Sequence, residues 1–346
     1  MVAIIGLTIE RASRGNAWET VMRLPRRRFL QVAAAAAIVP VVSGIGRAQT
    51  YPARPVRILV GFAAGGTQDI VARLIGQNLA ERLGQQFIIE NRPGANSNLA
   101  MEMVVRAPPD GHTLGVVGIA NVLNATLYEK LSFDVRSDLA MAAGLSSSPL
   151  VLEVHPGLPV NSVTEFIAYA KANPGKITVA SYGVGSISHV AAELFKTATG
   201  IQTVHVPYRG SGPMLIDLLA GQVQAAFDNL PASVEHIRAG TLRALAVTTA
   251  NRSDALQQVP SLGEQLRGYE ASAFFGIAAP KSTPAVTISR LNEAINATLA
   301  EPRIAKRLAE LGGAPLVLSS AAFAKMIADE TDKWGKVIRA ANIKAE

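Results

Sequence analysis

From residue 56 onward the chain alternates between short β-branched runs and stretches of helical period, and this alternation narrows its fold more than any other feature. Val56–Phe62 is a β-rich run, broken by Ala63-Ala64-Gly65-Gly66. A helix is predicted over Asp69 to Leu83, with Ile70, Val71, Leu74, Ile75 and Leu79 on one face and Gly84 as its stop. Residues 87–89, 113–119, 151–154, 177–180, 203–206, 223–227, 242–248 and 274–278 read as further strands. Helices are predicted near 99–106, 163–172, 189–199, 213–220, 288–299, 303–311 and 321–338. Arg92-Pro93-Gly94, Pro108-Pro109-Asp110-Gly111 and Asn173-Pro174-Gly175 supply the turns. The order predicts an α/β architecture, and 346 residues suffice for one large or two ordinary domains.

Composition excludes several classes. Apolar residues make up 49% and charged residues 17%, which supplies a core and excludes a disordered or coiled-coil chain. Aromatics at 5% do not suit a base-stacking surface. There is no cysteine, so no disulfide, thiolate metal site or cysteine nucleophile. The net charge of +7 invites a nucleic-acid or membrane partner, but residues 1–48 carry seven Arg and two Glu and so hold +5 of it. The remaining +2 is no electrostatic footprint for nucleic acid, and none is expected as a partner.

The basic segment reads as an address. Pro25-Arg26-Arg27-Arg28-Phe29-Leu30 precedes an apolar run from Val32 to Val42, then Gly46-Arg47-Ala48. Basic, apolar and small is the order of a secretory leader, and the run is too short to span a bilayer. Arg26-Arg27-x-Phe29-Leu30 resembles a twin-arginine signal, with Pro25 where a polar residue is usual. Residues 1–21 have no role in a leader, so translation is expected to start at Met22 and the mature chain near Gln49.

Two strand–loop–helix junctions carry the candidate chemistry. In Gly61-Phe62-Ala63-Ala64-Gly65-Gly66-Thr67-Gln68-Asp69 the glycines let a ligand approach the main chain. Thr67 or Asp69 can cap the helix, and free amides there favour an anion. The same segment would also serve as a tight turn with no ligand. Ser181-Tyr182-Gly183-Val184-Gly185-Ser186-Ile187-Ser188-His189 has the same form. It is close to a dinucleotide fingerprint, but Ser188 stands at the last glycine and the later acidic residue is missing. Two such helix starts suit a carboxylate held between domains. Asp228, in Phe227-Asp228-Asn229 at a strand end, is either an acceptor for a ligand or a turn former. Arg209, after Tyr208, is a carboxylate partner or a surface charge.

Signals for catalysis are weak. His112, His155, His189, His205 and His236 show no metal-ligand spacing. There is no GxSxG elbow around Ser181, Ser186 or Ser211, and no Walker lysine after Gly65-Gly66. No cofactor is expected.

The blocks Tyr51-Pro52-x-Arg54-Pro55-Val56, Gly65-Gly66-x-x-Asp69, Glu90-Asn91-Arg92-Pro93-Gly94 and Pro109-Asp110-Gly111-x-Thr113-Leu114 occur in order. They continue with Gly185-Ser186-x-x-His189, His205-Val206-Pro207-Tyr208, Asp217-Leu218-Leu219-Ala220-Gly221, Phe227-Asp228 and Leu242–Thr248, closing on Lys333-Trp334. Over 51–344 the chain resembles Bug-type periplasmic solute receptors of the tripartite tricarboxylate transporter family. The resemblance implies a type II periplasmic-binding-protein fold: two α/β lobes with a ligand cleft between them. Lobe one is expected from 49–150 plus 271–346, and lobe two from 151–270. The implied ligand is a small organic carboxylate, and the implied partners are integral membrane transporter subunits. Carried over, the ligand-binding residues are Phe62, Ala63, Gly65, Gly66, Thr67 and Gln68 from lobe one, and Ser181, Gly185 and Ser186 from lobe two. Tyr208 and Asp228 would lie nearby, and Asn121 on the hinge side.

The chain departs from that family at Gly61 and Ala64, where Pro is common, and at Gln68, where smaller or apolar residues are frequent. The usual Gly-rich turn after Pro93-Gly94 reads Ala95-Asn96-Ser97-Asn98. The alternatives are an orphan receptor that presents its ligand to a sensor kinase, and a hydrolase with an unrecognised active site.

Overall fold

The computed structural model describes residues 51–128, 130–340 and 343–344. The leader and the Met22 start lie outside them. The described residues form one compact unit. Among the described residues, no helix is long and apolar enough to cross a membrane.

The first strand, β1 (Val56–Val60), is apolar and buried on both faces, as a parallel strand covered by helices must be. It pairs in parallel with β2 (Phe87–Asn91) and β3 (Thr113–Gly118). Between β1 and β2 runs α1 (Thr67–Leu83), which buries Val71, Ala72, Ile75 and Leu79. It stops at Gly84, whose φ of 73° only glycine adopts readily and whose N–H returns to the Ala80 carbonyl. The helix begins two residues earlier than its apolar pattern indicates, because Thr67 and Gln68 are polar residues buried at its tip.

The connection to β3 is α2 (Asn98–Val105). Two helices are invisible to a pattern search because no turn residue announces them. β3 passes through Gly118 straight into α3 (Ile119–Leu127), where a continued strand was expected to Ile119.

β4 (Leu139–Val154) is far longer than the predicted 151–154, since its first part is Ala, Gly and Ser, residues of low strand preference. Its residues up to Pro149 pair antiparallel with β9 (Ser272–Pro280), which itself pairs antiparallel with β3. From Leu150 onward it pairs with β7 (Ala225–Asn229) and β8 (Arg243–Val247). Beyond β7 lie β5 (Thr178–Ser181) and β6 (Val204–Pro207), all parallel to one another. The helices of this half are α4 (Val163–Ala172), α5 (Ile187–Thr199), α6 (Ser211–Leu219) and α7 (Leu230–Arg238). The second unannounced helix is α7, which follows β7 with no gap and starts on Leu230-Pro231, Pro being at home in a first turn.

At the changeover, the buried Thr248 hydroxyl accepts the Leu150 N–H at 2.9 Å and donates to the Ala271 carbonyl at 2.5 Å. The tail returns to the first half as α8 (Ala285–Leu299), α9 (Pro302–Glu310), the short β10 (Ala314–Pro315) on β4, and α10 (Ser320–Ala340).

Gly276 of β9 sits opposite Gly144 of β4; the bare Gly276 admits the fully buried Phe323 of α10, and Gly144 admits Leu316. A Cβ on Gly276 would overlap the Phe323 ring and the Ala143 carbonyl. Gly276→Ala is expected to lower unfolding stability by about 1–3 kcal/mol, read from the urea midpoint.

Candidate ligand site

The ends of β1, β5 and β7 and the starts of α1, α5, α6 and α7 converge, as strand ends do where open α/β sheets bind ligands. Gly66 is the N-cap of α1 and offers no side chain to it. Asp69, a candidate cap, instead accepts the Gly65 N–H at 3.1 Å and pairs with Arg73 at 2.8 Å, so it shapes the loop. The Thr67 hydroxyl is buried and caps nothing. The first amides of α1 are therefore uncapped, the arrangement that favours an anion.

Facing this loop is the start of α6. The Ala63 N–H donates to the Arg209 carbonyl at 3.1 Å. Gly66 lies against Ser211, and a Cβ on Gly212 would overlap the Ala64 carbonyl. Glycines on both sides permit this close approach. The expected opposite number of the 61–68 loop was the 181–186 segment. The structure puts 209–212 there, and sets Gly183 and Gly185 against Asn96, with Phe62 also beside Gly183.

Two chambers result, both lined by Phe62 and Tyr182, which meet edge to face at 5.6 Å. The inner one is about 20 Å³, room for one water, and is walled by Gly66, Thr67, Gln68, Ile119, Ser211 and Asn229 among others. Thr67 Oγ1, Gln68 Oε1 and Asn229 Oδ1 are buried here without a partner. Buried polar atoms are normally satisfied, so three orphans at one cavity call for a bound group. The outer chamber is about 280 Å³ and is walled by Tyr128, Tyr182, Tyr208, Arg209 and the 94–96 turn.

Of the residues named from sequence, Phe62, Gly66, Thr67 and Gln68 line the inner chamber, and Phe62 and Tyr208 the outer one. Ala63 and Gly65 form the contact with 209–212. The other five, Asn121, Ser181, Gly185, Ser186 and Asp228, line neither chamber, and among them only Asn121 leaves a polar side-chain atom, its Nδ2, without a partner. Ser186 caps α5, accepting the His189 N–H and donating to the Gly183 carbonyl at 2.6 Å. The Gly185 N–H is used by His189 Nδ1. Asn121 lies in the first turn of α3, where its Oδ1 accepts the Gly118 N–H; its neighbours Ile119 and Ala120 wall the chamber.

Ser181 is fully buried, and its hydroxyl lies 2.7 Å from His205 Nε2. The sequence named no Ser–His pair; the fold assembles this one, but it lines neither chamber. Tyr208 donates its hydroxyl to Asp217, so it offers the chamber mainly its ring.

Asp228 stands behind the wall. Its Oδ1 accepts from Ser211 at 2.5 Å and from the Asn229 N–H at 2.8 Å, so it fixes the two residues that do face the cavity. Its Oδ2 lies 3.1 Å from the Ser233 hydroxyl, which is also 2.9 Å from Glu153 Oε1. One hydroxyl proton cannot serve both carboxyls, so a carboxyl supplies the second. Burial and the neighbouring Asp228 charge hold Glu153 well above the usual carboxylate range, and burial pushes Asp228 up to about 7. Glu153 therefore donates to Ser233, and Ser233 to Asp228. Ser211, Asn229, Asn96 and Tyr182 escaped the sequence reading as site residues. Asn229 and Tyr182 sit inside segments it singled out, and Ser211 between two glycines was an available signal.

The strand order, the long strand common to both halves and the cleft at the helix starts define a two-lobed periplasmic-binding-protein fold. Within that class the chain belongs to the tripartite tricarboxylate transporter family receptors, whose family model matches residues 71–343. It is 36% identical over 297 residues to the protein BugT of Bordetella pertussis, covering 84% of this chain and 90% of that one. The structure of R. palustris Rpa4515 with adipate has a TM-score of 0.83 at 37% identity, covering 85% of this chain and 99% of that chain. MatC from Rhodopseudomonas palustris with bound malate has a TM-score of 0.79 at 32% identity, covering 83% and 100%. The Bug-type resemblance read from the motif blocks holds.

Above pH 7 Glu153 is ionised in the unfolded chain, while burial holds its carboxyl well above the usual range in the fold, so wherever the folded carboxyl keeps its proton the unfolded state binds fewer protons and stability falls as pH rises. One such proton gives a slope of at most about 1.4 kcal/mol per pH unit. His189, lowered to about 4 by burial, changes stability only below that window. Upward from pH 7, denaturant titrations are expected to show a shallower loss for Glu153→Gln than for the natural protein.

Proposed function

We propose that this chain is an exported receptor that captures a small organic carboxylate in the interlobe cleft and delivers it to integral membrane transporter subunits. The observation that carries the reading is the uncapped start of α1 beside three orphaned polar atoms in a chamber closed by the start of α6. Main-chain amides of Thr67 and Gln68 would take the carboxylate charge. Because Gln68 and Asn229 present acceptor oxygens, a water that donates to them and to the carboxylate completes the inner chamber. Two relatives of the same fold carry adipate and malate, which are carboxylic acids of this kind.

The lobes are assigned as 49–150 plus 271–346 and 151–270. The switch of β4 partners at Leu150 and the Thr248 bridge to Ala271 support that division. Closure brings Ala63–Gly66 onto Arg209–Gly212 and creates a surface that a membrane partner can read. A leader over 1–48 of twin-arginine type, with its start at Met22, would take the protein to the periplasm.

Thermal shifts against organic acids and their amides test the reading. An acid at a hundred times its dissociation constant is expected to stabilise the protein by about 2.7 kcal/mol, and its amide not to. Equal shifts with both, or consumption of the acid during incubation, would sink it. Gly212→Ala places a methyl on the Ala64 carbonyl where the lobes meet. It is expected to weaken acid binding, measured by calorimetry, tenfold or more, by about 1.4 kcal/mol.

A further inference from the structure

The turn at Ala95-Asn96-Ser97 carries three successive non-glycine residues with positive φ, of 45°, 48° and 76°. Left-handed backbone at a side-chain-bearing residue is disfavoured, so what the side chains do there matters. Asn96 is 8% exposed and lies on the wall of the outer chamber. Its carboxamide orientation is fixed by neighbours. Asn124 Nδ2 spends both protons, on the Asn96 carbonyl at 2.8 Å and on Asn98 Oδ1 at 2.7 Å. Asn124 Oδ1 must then accept, and it does so from Asn96 Nδ2 at 2.8 Å. Asn96 Oδ1 is left pointing away, toward Gly183 across the cleft, buried and without a partner. The remaining walls are the rings of Phe62, Tyr128, Tyr182 and Tyr208 with Pro207, and Arg209. The Tyr182 hydroxyl oxygen accepts from Asn229 Nδ2 and the Ser188 amide, and the Tyr208 hydroxyl donates to Asp217. The chamber thus offers flat ring faces, the donors of Arg209 and the unpartnered acceptor of Asn96.

We infer that Asn96 is a specificity-determining residue whose Oδ1 accepts a hydrogen bond from the ligand end remote from the carboxylate. The ligand class is a carboxylic acid with a flat, apolar body bearing a hydroxyl or N–H donor at that end. Rings on the walls favour the flat body, and a buried acceptor without a partner disfavours any acid that cannot donate to it. This inference rests on the carboxylate-receptor reading of the inner chamber.

The test is calorimetry on the purified protein with 4-hydroxybenzoate, 4-methoxybenzoate and benzoate, and with adipate and malate as acids without the flat body. The natural protein is expected to bind 4-hydroxybenzoate at least tenfold more tightly than 4-methoxybenzoate or benzoate. Asn96→Gly, which suits the positive φ, is expected to bring the three within about threefold while still binding benzoate. A preference absent from the natural protein, or surviving in Asn96→Gly, overturns the role of Asn96. Binding of adipate or malate without any aryl acid overturns the flat-body class and leaves the receptor reading standing. Binding of none of the five overturns the receptor reading and this inference together.

Discussion

Everything about the cleft depends on one strand being shared. β4 spends its first residues on β9 and its last on β7 and β8, so the two halves are built around a common element rather than docked through side chains. Backbone hydrogen bonds at that junction hold the halves in register while leaving their far faces free to approach. Thr248, with its hydroxyl between Leu150 and Ala271, adds a second tie at the same level. The loops after β1 and β6 are then brought together across the gap, where a single backbone bond, Ala63 to Arg209, joins them.

The polar accounting separates residues that shape the site from those left over for a ligand. Ser181, Ser186, Gly185, Asp228 and Asp69 all meet local partners and keep loops and helix starts in place. Thr67, Gln68, Asn229 and Asn96 do not, and they lie around the two chambers. The Glu153–Ser233–Asp228 chain explains how a buried acid pair is tolerated: one member stays protonated and donates, so only one negative charge is held. That charge is spent on orienting Ser211 and Asn229, not on the ligand.

Elements with a clear period and a clear stop were legible. Helix α4 was predicted at 163–172, and α1 was predicted to stop at Gly84. Elements without punctuation were not. α3 and α7 follow strands with no intervening loop, and most of β4 is made of small residues whose strand state comes from pairing on both sides. Within the site, the 61–68 loop was legible because glycines before a helix have a local meaning. The role of Asp228 was not legible, because a strand-end carboxylate looks the same in sequence whether its oxygens face a ligand or, as in this structure, neighbouring serines.

By itself the sequence determined the α/β alternation, the glycine-bearing loop before α1 and the family, since each rests on local spacing or on ordered motif blocks. Only the tertiary structure decided which loops face each other, that 209–212 rather than 181–186 meets 63–66, and that Asn96 turns its acceptor into the cleft. The physical reason is that these outcomes depend on strand order and on which polar atoms are left unpaired after packing. Both are properties of distant residues brought together, and neither leaves a mark on local sequence.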